Sequence, residues 1–355
     1  MMTSSVRKNV FMATAGGVFL TLTVIGQAQA ATVTPTLAPY FSNSYSITDL
    51  GSIEQIPLAY GGITFQPGEP NTLLISGLAD TPDGGIYAVE VSRDSNNHIT
   101  GFGIPSFLAQ APGISTGGID AGLAYSPKGD VLFYTSYPDN SIGQIKPGSS
   151  APNKQIDLNA LDIASSTGAL NFVPEGFAGA GQLKITSYTG SIFYDTTITS
   201  DGSGTYDIVK PTRSVQLDGG LDGFIYVRAG NPGFVEDSLL IEEYDNSSVS
   251  AYTIDANGNP IANTRRNFIT GLGFHSPISL TGVMGATIDP VTGDFIFSTF
   301  FEGEPSVSKI YAVTRVTKST SVPEPRGVTW VFSTFVLVLS LLRNKISRFA
   351  QVGSE

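Results

Sequence analysis

A strand–turn–strand unit recurs along this chain and limits the fold more than any other feature. Its clearest copy is Gly122-Leu-Ala-Tyr-Ser-Pro127, a Lys128-Gly129-Asp130 turn, then Val131-Leu-Phe-Tyr-Thr-Ser136. Gly285-Ala-Thr-Ile-Asp-Pro290, Val291-Thr-Gly-Asp294 and Phe295-Ile-Phe-Ser-Thr299 repeat it. So do Gly62-Ile-Thr-Phe-Gln-Pro67, Gly68-Glu-Pro-Asn71 and Thr72-Leu-Leu-Ile-Ser76, and weaker copies begin near Ala169 and Gly223. Short apolar runs bounded by Gly, Pro, Asn and Asp read as strands joined by tight turns. The 40 glycines and 21 prolines break any long helix, and only the segment from Asp157 to Ser165 predicts a helical turn or two.

The five unit starts lie roughly 50 to 60 residues apart, which suits four-stranded blades. A small sheet with two apolar faces cannot bury both alone. Packing such sheets in a ring does so. The pattern therefore predicts an all-β fold, a β-propeller of five or six four-stranded blades, flanked by an N-terminal signal peptide and a C-terminal single transmembrane segment. The competing arrangement is a pair of β-sandwiches. Tyr45 to Ile56 precedes the first unit and is expected to supply an outer strand that closes the ring against Ile310 to Val316. The rhythm resembles propellers of the NHL, SMP-30/gluconolactonase and phytase-like kinds. No catalytic signature of those families is present to carry over.

The two ends read as processing signals. Arg7 and Lys8 precede an apolar stretch from Val10 to Ile25. Ala28 and Ala30 then supply small residues for signal peptidase, with a mature chain starting at Ala31. At the other end Val322-Pro323-Glu324-Pro325 leads into an apolar run from Gly327 to Leu342, then Arg343, Lys345 and Arg348. Two prolines hold Glu324 in a short extended segment. The run is shorter than the roughly twenty residues of a comfortable span, and its cations favour a cytoplasmic terminus. This order resembles the PEP-CTERM sorting signal, which implies recognition by an exosortase-like membrane enzyme. The competing assignments are a plain tail anchor and a retained N-terminal anchor. The expected division is residues 1–30 signal peptide, 31–318 propeller and 319–355 sorting signal. The expected location is an inner-membrane-anchored precursor, then the cell envelope or extracellular space.

The chain carries a net charge of −11 and no cysteine. The terminal segments hold Arg7, Lys8, Arg326, Arg343, Lys345 and Arg348 against only Glu324 and Glu355, so the middle is more acidic still. That argues against nucleic-acid binding, which needs clustered cations on phosphates. It also removes disulfides, thiolate zinc sites and covalent haem.

Two aspartates occupy equivalent repeat positions. Asp120 ends Gly117-Gly118-Ile119-Asp120, and Asp222 ends Asp218-Gly219-Gly220-Leu221-Asp222. Glycines let the backbone approach a crowded axis, and the two carboxylates are expected to point into a central funnel. With Asn171 and Glu175 of the third unit they form a candidate oxygen set for Ca²⁺. The bland reading is that Asp120 and Asp222 cap turns. Glu242, Glu243 and Asp245 read as a solvated strand end, His98 as an exposed turn residue, and His275 as a structural loop residue. Phe133, Tyr134, Tyr137, Phe172, Tyr188, Tyr194, Phe300 and Phe301 read mainly as blade packing, with sugar stacking as the alternative. P-loop and His-Glu-x-x-His motifs are absent from the sequence. The leading functional expectation is an exported envelope or extracellular-matrix protein, its propeller a binding or structural platform associated with exopolysaccharide. The alternative is a secreted metal-dependent hydrolase acting on a lactone, phosphate ester or sugar through a carboxylate-lined funnel.

Overall fold

A computed structural model describes residues 34–273, 281–301 and 307–316. The signal-cleavage residues Ala28, Ala30 and Ala31, the sorting motif Val322, Pro323, Glu324 and Pro325, the cations Arg343, Lys345 and Arg348, and His275 lie outside them. Among the described residues no helix is long and apolar enough to cross a membrane.

The strands form a five-bladed propeller of antiparallel, mainly four-stranded sheets. From the axis outward, blade 1 contains Ile63–Gln66, Glu69–Gly77 and Gly85–Arg93, its outer edge shared by Ile99–Phe102 and Ser106–Gln110. Blade 2 contains Gly118–Tyr125, Leu132–Tyr137, Ser141–Ile145 and Lys154–Asp157. Blade 3 contains Thr167–Phe172, Leu183–Ser187, Ile192–Thr196 and Arg213–Gln216. Blade 4 contains Leu221–Val227, Ser238–Glu243, Ser248–Thr253 and Arg266–Thr270, with the short strand Thr36–Leu37 outside. Blade 5 contains Thr281–Ile288, Phe295–Phe301 and Ile310–Arg315, completed by Tyr45–Gly51 from before blade 1. Tyr45 pairs with Arg315 and Ile47 with Val313, so the expected ring closure is formed. The helical turn or two expected from Asp157 to Ser165 is the 3₁₀ turn Leu158–Leu161.

Each joint between blades holds its own apolar cluster, because the two faces of every small sheet are apolar. Leu74, Ile119 and Tyr134 fill the joint of blades 1 and 2, and Phe133, Phe172 and Leu183 that of blades 2 and 3. Phe193, Phe224 and Leu239 fill the next. Phe41, Phe268, Phe234 and Phe295 pack blades 4 and 5, with Phe41 and Phe268 edge to face at 4.9 Å. Burying one such side chain fully contributes about 1.5–3 kcal/mol. The inserted hairpin Ile198–Ser200 and Tyr206–Ile208 straps blade 3 to blade 2, since the Gln144 amide both donates to the Tyr206 carbonyl and accepts from its N–H.

A second set of bonds ties the innermost strands together. The inner strands of blades 2 to 5 bulge early in their length. Opposite the bulges of blades 2, 3 and 5, a hydroxyl of the second strand accepts an N–H from its own blade and donates to the next. Thr135 accepts from Gly122 and donates to the Gly168 carbonyl at 2.7 Å. Thr186 accepts from Ala169 and donates to the Asp222 carbonyl at 3.0 Å. Ser298 accepts from Gly285 and donates to the Gly61 carbonyl at 2.6 Å, returning the ring to blade 1. Between blades 1 and 2 the Gly62 N–H donates directly to the Asp120 carbonyl at 2.8 Å.

Arg93 of blade 1 reaches across the rim to blade 5. Its guanidinium takes both oxygens of Asp289, at 2.6 and 3.0 Å, and also donates to Asn71, Pro70 and Asn97. The Asp289 side chain is fully buried. Removing one partner of such a pair strands the other charge, at about 3–5 kcal/mol. Arg93→Ala is expected to lower unfolding stability by that amount in urea titrations followed by circular dichroism, whereas Lys210→Ala, at an exposed surface pair with Asp162, is expected to shift it by less than about 1 kcal/mol.

Candidate functional site

At one end of the axis lies a cavity of about 120 Å³ lined by Asp80, Asp120, Tyr137, Tyr188, Asp222, Tyr244, Met284 and Phe300. The lining follows from strand periodicity. Tyr137, Tyr188, Tyr244 and Phe300 each lie two residues beyond Thr135, Thr186, Glu242 and Ser298 on a second strand or just past its end. Residues two apart in a strand share a face, so the side chains that sit under the bulges are followed by a wall of aromatic rings. Tyr188 and Tyr244 meet edge to face, with centroids 5.8 Å apart. Asp120, Asp222 and Met284 come from the bulges of blades 2, 4 and 5. Asp80 comes from the turn after the second strand of blade 1, where Leu78 and Asp80 both have positive φ.

Glycines allow this crowding. A Cβ at Gly118 would lie 1.7 Å from the Thr81 carbonyl oxygen, so only glycine lets Asp120 reach the axis beside the Asp80 turn. A Cβ at Gly168 would lie 2.1 Å from the Leu221 carbonyl oxygen and 2.9 Å from Asp222 Oδ1. The Asp222 carboxyl therefore uses space that blade 3 leaves open.

The electrostatics are unusual for three aspartates. Asp120 and Asp222 are almost wholly buried. Burial pushes the Asp120 carboxyl well above the usual carboxylate range, and repulsion from Asp80 and Asp222 adds to it. The Asp80 side chain beside Asp120 adds to that rise, because two carboxyls brought together disfavour a second negative charge. Burial likewise raises Asp222, helped by Asp80 and Asp245. At the rim the Tyr188 hydroxyl donates to Asp245 at 2.9 Å, and its pKa is raised by burial and then by that carboxylate.

Of the four residues expected as a Ca²⁺ set, Asp120 and Asp222 share this cavity. Asn171 and Glu175 are placed elsewhere. The Asn171 amide donates to the Phe224 carbonyl at 3.1 Å, and its oxygen accepts from the Phe172 N–H. Glu175 is exposed on the loop after that strand. The reason is that blade 3 has Gly168 where blades 2 and 4 have aspartate, and Asn171 sits three residues farther along, about 10 Å at strand rise. Among the described residues no group of three or more His, Asp or Glu side chains is arranged to hold a metal ion.

Other sequence expectations change more. Glu242 and Glu243 are fully buried, not a solvated strand end; Asp245 is exposed. Glu243 is held below its usual range despite burial, because Arg265 takes both its oxygens and Tyr252 and Asn246 donate to it. His98 is only part exposed, with Nδ1 at 2.6 Å from Asp294. Phe133, Tyr134, Phe172 and Tyr194 are core, as expected of most aromatics, while Tyr137, Tyr188 and Phe300 line the cavity. Asp80, Tyr244 and Met284 were not singled out by sequence. The aromatic spacing was the available signal for Tyr244, and nothing periodic marked Asp80.

No protein-family model and no curated protein matches the chain. Similar solved structures include a glucose dehydrogenase, 11% identical with a TM-score of 0.42, covering 77% of this chain and 100% of that one. The glutaminyl cyclase of Myxococcus xanthus is 12% identical with a TM-score of 0.40, covering 76% and 97%. The β-propeller domain of a Myceliophteria thermophila protein is 11% identical with a TM-score of 0.36, covering 72% and 70%. At this distance no chemistry passes from them to this chain.

A carboxyl whose pKa is higher in the native than in the unfolded state holds a proton that the unfolded chain has released. Stability from such a group is full below the unfolded value of about 3.9 and is lost as pH rises toward the native value. Asp120→Asn removes one of these groups. Its urea midpoint relative to wild type is expected to improve steadily from pH 4.5 to pH 8. A flat difference would show that Asp120 is ionised in the native protein at neutral pH.

Proposed function

We propose that this is an exported propeller that binds a polyhydroxylated ligand, an exopolysaccharide segment, in its axial cavity. The observation that carries the reading is the composition of that cavity, with four aromatic side chains and three aspartates drawn from all five blades around one space. Aromatic faces offer apolar, electron-rich surface to the C–H faces of a sugar ring. A neutral carboxyl both donates and accepts hydrogen bonds, as a hydroxyl-bearing ligand requires. An apolar pocket with a few convergent polar groups is the usual form of a small-ligand site. The export half rests on the terminal sequences: signal peptidase acting after Ala30, and an exosortase-like enzyme acting near Pro323-Glu324-Pro325, with the apolar run as a transient membrane handle. The destination is the cell envelope or extracellular space.

One observation favours a second reading. Asp80, Asp120 and Asp222 line the cavity with no cationic side chain among its described lining residues, so a cation drawn there would relieve their repulsion; the metal-dependent hydrolase needs these carboxyls to move from their present arrangement, which is not one that holds a metal ion.

Tyr137→Ala and Tyr188→Ala are each expected to weaken retention of the native exopolysaccharide about tenfold, equivalent to about 1.4 kcal/mol, with unfolding midpoints little changed. Protein recovered outside the cell is expected to lack residues 1–30 by intact mass, and Pro323→Ala with Pro325→Ala to leave the C-terminal segment attached. Intact chain confined to the cytoplasm would sink the export reading. A Ca²⁺-dependent rise in melting temperature, lost in Asp120→Asn and Asp222→Asn, would favour the hydrolase.

A further inference from the structure

The ring of bonds around the innermost strands has one joint built differently. Blades 5 and 1, 1 and 2, 2 and 3, and 3 and 4 are each linked by a donor from one blade to a carbonyl in or just before the inner strand of the next. In blade 4 the residue opposite the bulge, where blades 2, 3 and 5 place Thr135, Thr186 and Ser298, is Glu242. It is fully buried, and among the described residues neither carboxyl oxygen has a hydrogen-bond partner. A Cβ at Gly223 would lie 2.1 Å from Glu242 Oε2, 2.8 Å from the Met284 carbonyl oxygen and 2.9 Å from the Ala286 nitrogen. The Glu242 carboxyl and the inner-strand backbone of blade 5 therefore border the same small space beside Gly223, the place that corresponds to the one the hydroxyls bridge in the other blades.

We infer that Glu242 is the fifth link of this ring, held as an un-ionised carboxylic acid that gives its proton to the Met284 carbonyl. It thereby acts as a positioning residue for Asp222 and Met284 in the cavity wall. A carboxylate has no proton to give, and would set one acceptor against another beside a carbonyl oxygen. An ionised acid here would also need a counter-charge. The titratable group that faces it is Asp222, from the inner strand of its own blade, which is itself faced by Asp80 and Asp245. Val249 lies opposite it on the third strand, and Met284, Gly285 and Ala286 on blade 5 carry no charge. The neighbouring Glu243 is taken up by Arg265, Tyr252, Ser248 and Asn246. Burial, with Asp222 adding to it, pushes the Glu242 carboxyl well above its ordinary range. This inference goes beyond the ligand reading and does not depend on it.

The joint between blades 4 and 5 is then strongest while Glu242 keeps its proton. With a native pKa above the unfolded value, its contribution is full in mild acid and fades as pH rises. The test uses the full-length chain, with urea midpoints measured from pH 4.5 to pH 8 for wild type, Glu242→Gln, Glu242→Ala and Asp222→Asn. Glu242→Gln keeps a donor in place without a titrating group. It is expected to match wild type near pH 4.5 and exceed it increasingly toward pH 8, while Glu242→Ala is weaker than Glu242→Gln throughout. A Glu242→Gln difference that does not change with pH, or that favours wild type more as pH rises, overturns the proposal. If the variants do not fold, infrared spectra of wild type labelled with ¹³C in glutamate alone decide it, since the label separates Glu242 from the aspartates. A protonated glutamate carbonyl band at pH 7 supports the proposal, and its absence overturns it.

Discussion

The structure depends on how five small sheets are held edge-on around an axis too narrow for side chains of ordinary size. Apolar clusters fill the joints, but apolar contact has no direction and does not set the angle between neighbouring blades. Direction comes from the bonds near the axis. Thr135, Thr186 and Ser298 each reach past their own bulge to a carbonyl of the next blade. Bulges free the backbone groups that these hydroxyls use, because the extra residue leaves the ladder unpaired. Those same bulges turn Asp120, Asp222 and Met284 toward the cavity, so the device that closes the ring also builds the floor of the site.

That economy has an electrostatic consequence. Carboxyls set at bulges near the axis lose water without gaining cations. Arginine and lysine in this protein make their close pairs elsewhere: Arg93 with Asp289, Arg265 with Glu243, and Lys184, itself fully buried, with Asp195 at 2.7 Å. Each of those acids is neutralised. Asp120, Asp222 and Glu242 are not, and their carboxyls are driven toward the protonated form. Two populations of buried acid thus coexist. Glu243 responds to pH in the ordinary direction, and Asp120, Asp222 and Glu242 respond in reverse.

The architecture was legible because its signals are local and repeated. Gly-apolar-Pro-turn units such as Gly122 to Ser136 announce strands and their reversals, and the apolar surplus of Val131 to Tyr134 announces a sheet covered on both faces. Ring closure by Tyr45–Gly51 was legible as a strand left over before the first unit. The site was legible in half. Asp120 and Asp222 stand after glycines at matching repeat positions, and both reach the cavity. Asn171 was placed by general similarity of its unit, yet the bulge register puts Gly168 at the matching position. Glu242 was misjudged because two adjacent acids at a strand end resemble a solvated edge, whereas the innermost strand pair of a blade has no solvent side.

Pattern in the chain was enough to settle strands, turns, blade rhythm and an acidic, cysteine-free character, since each depends on residues close together in sequence. The axis was beyond its reach. Which carboxyls meet there, which repel one another and which find a cation depend on contacts between residues as far apart as Asp80 and Asp222. Those separations are bridged only when the ring closes and water is driven from its centre.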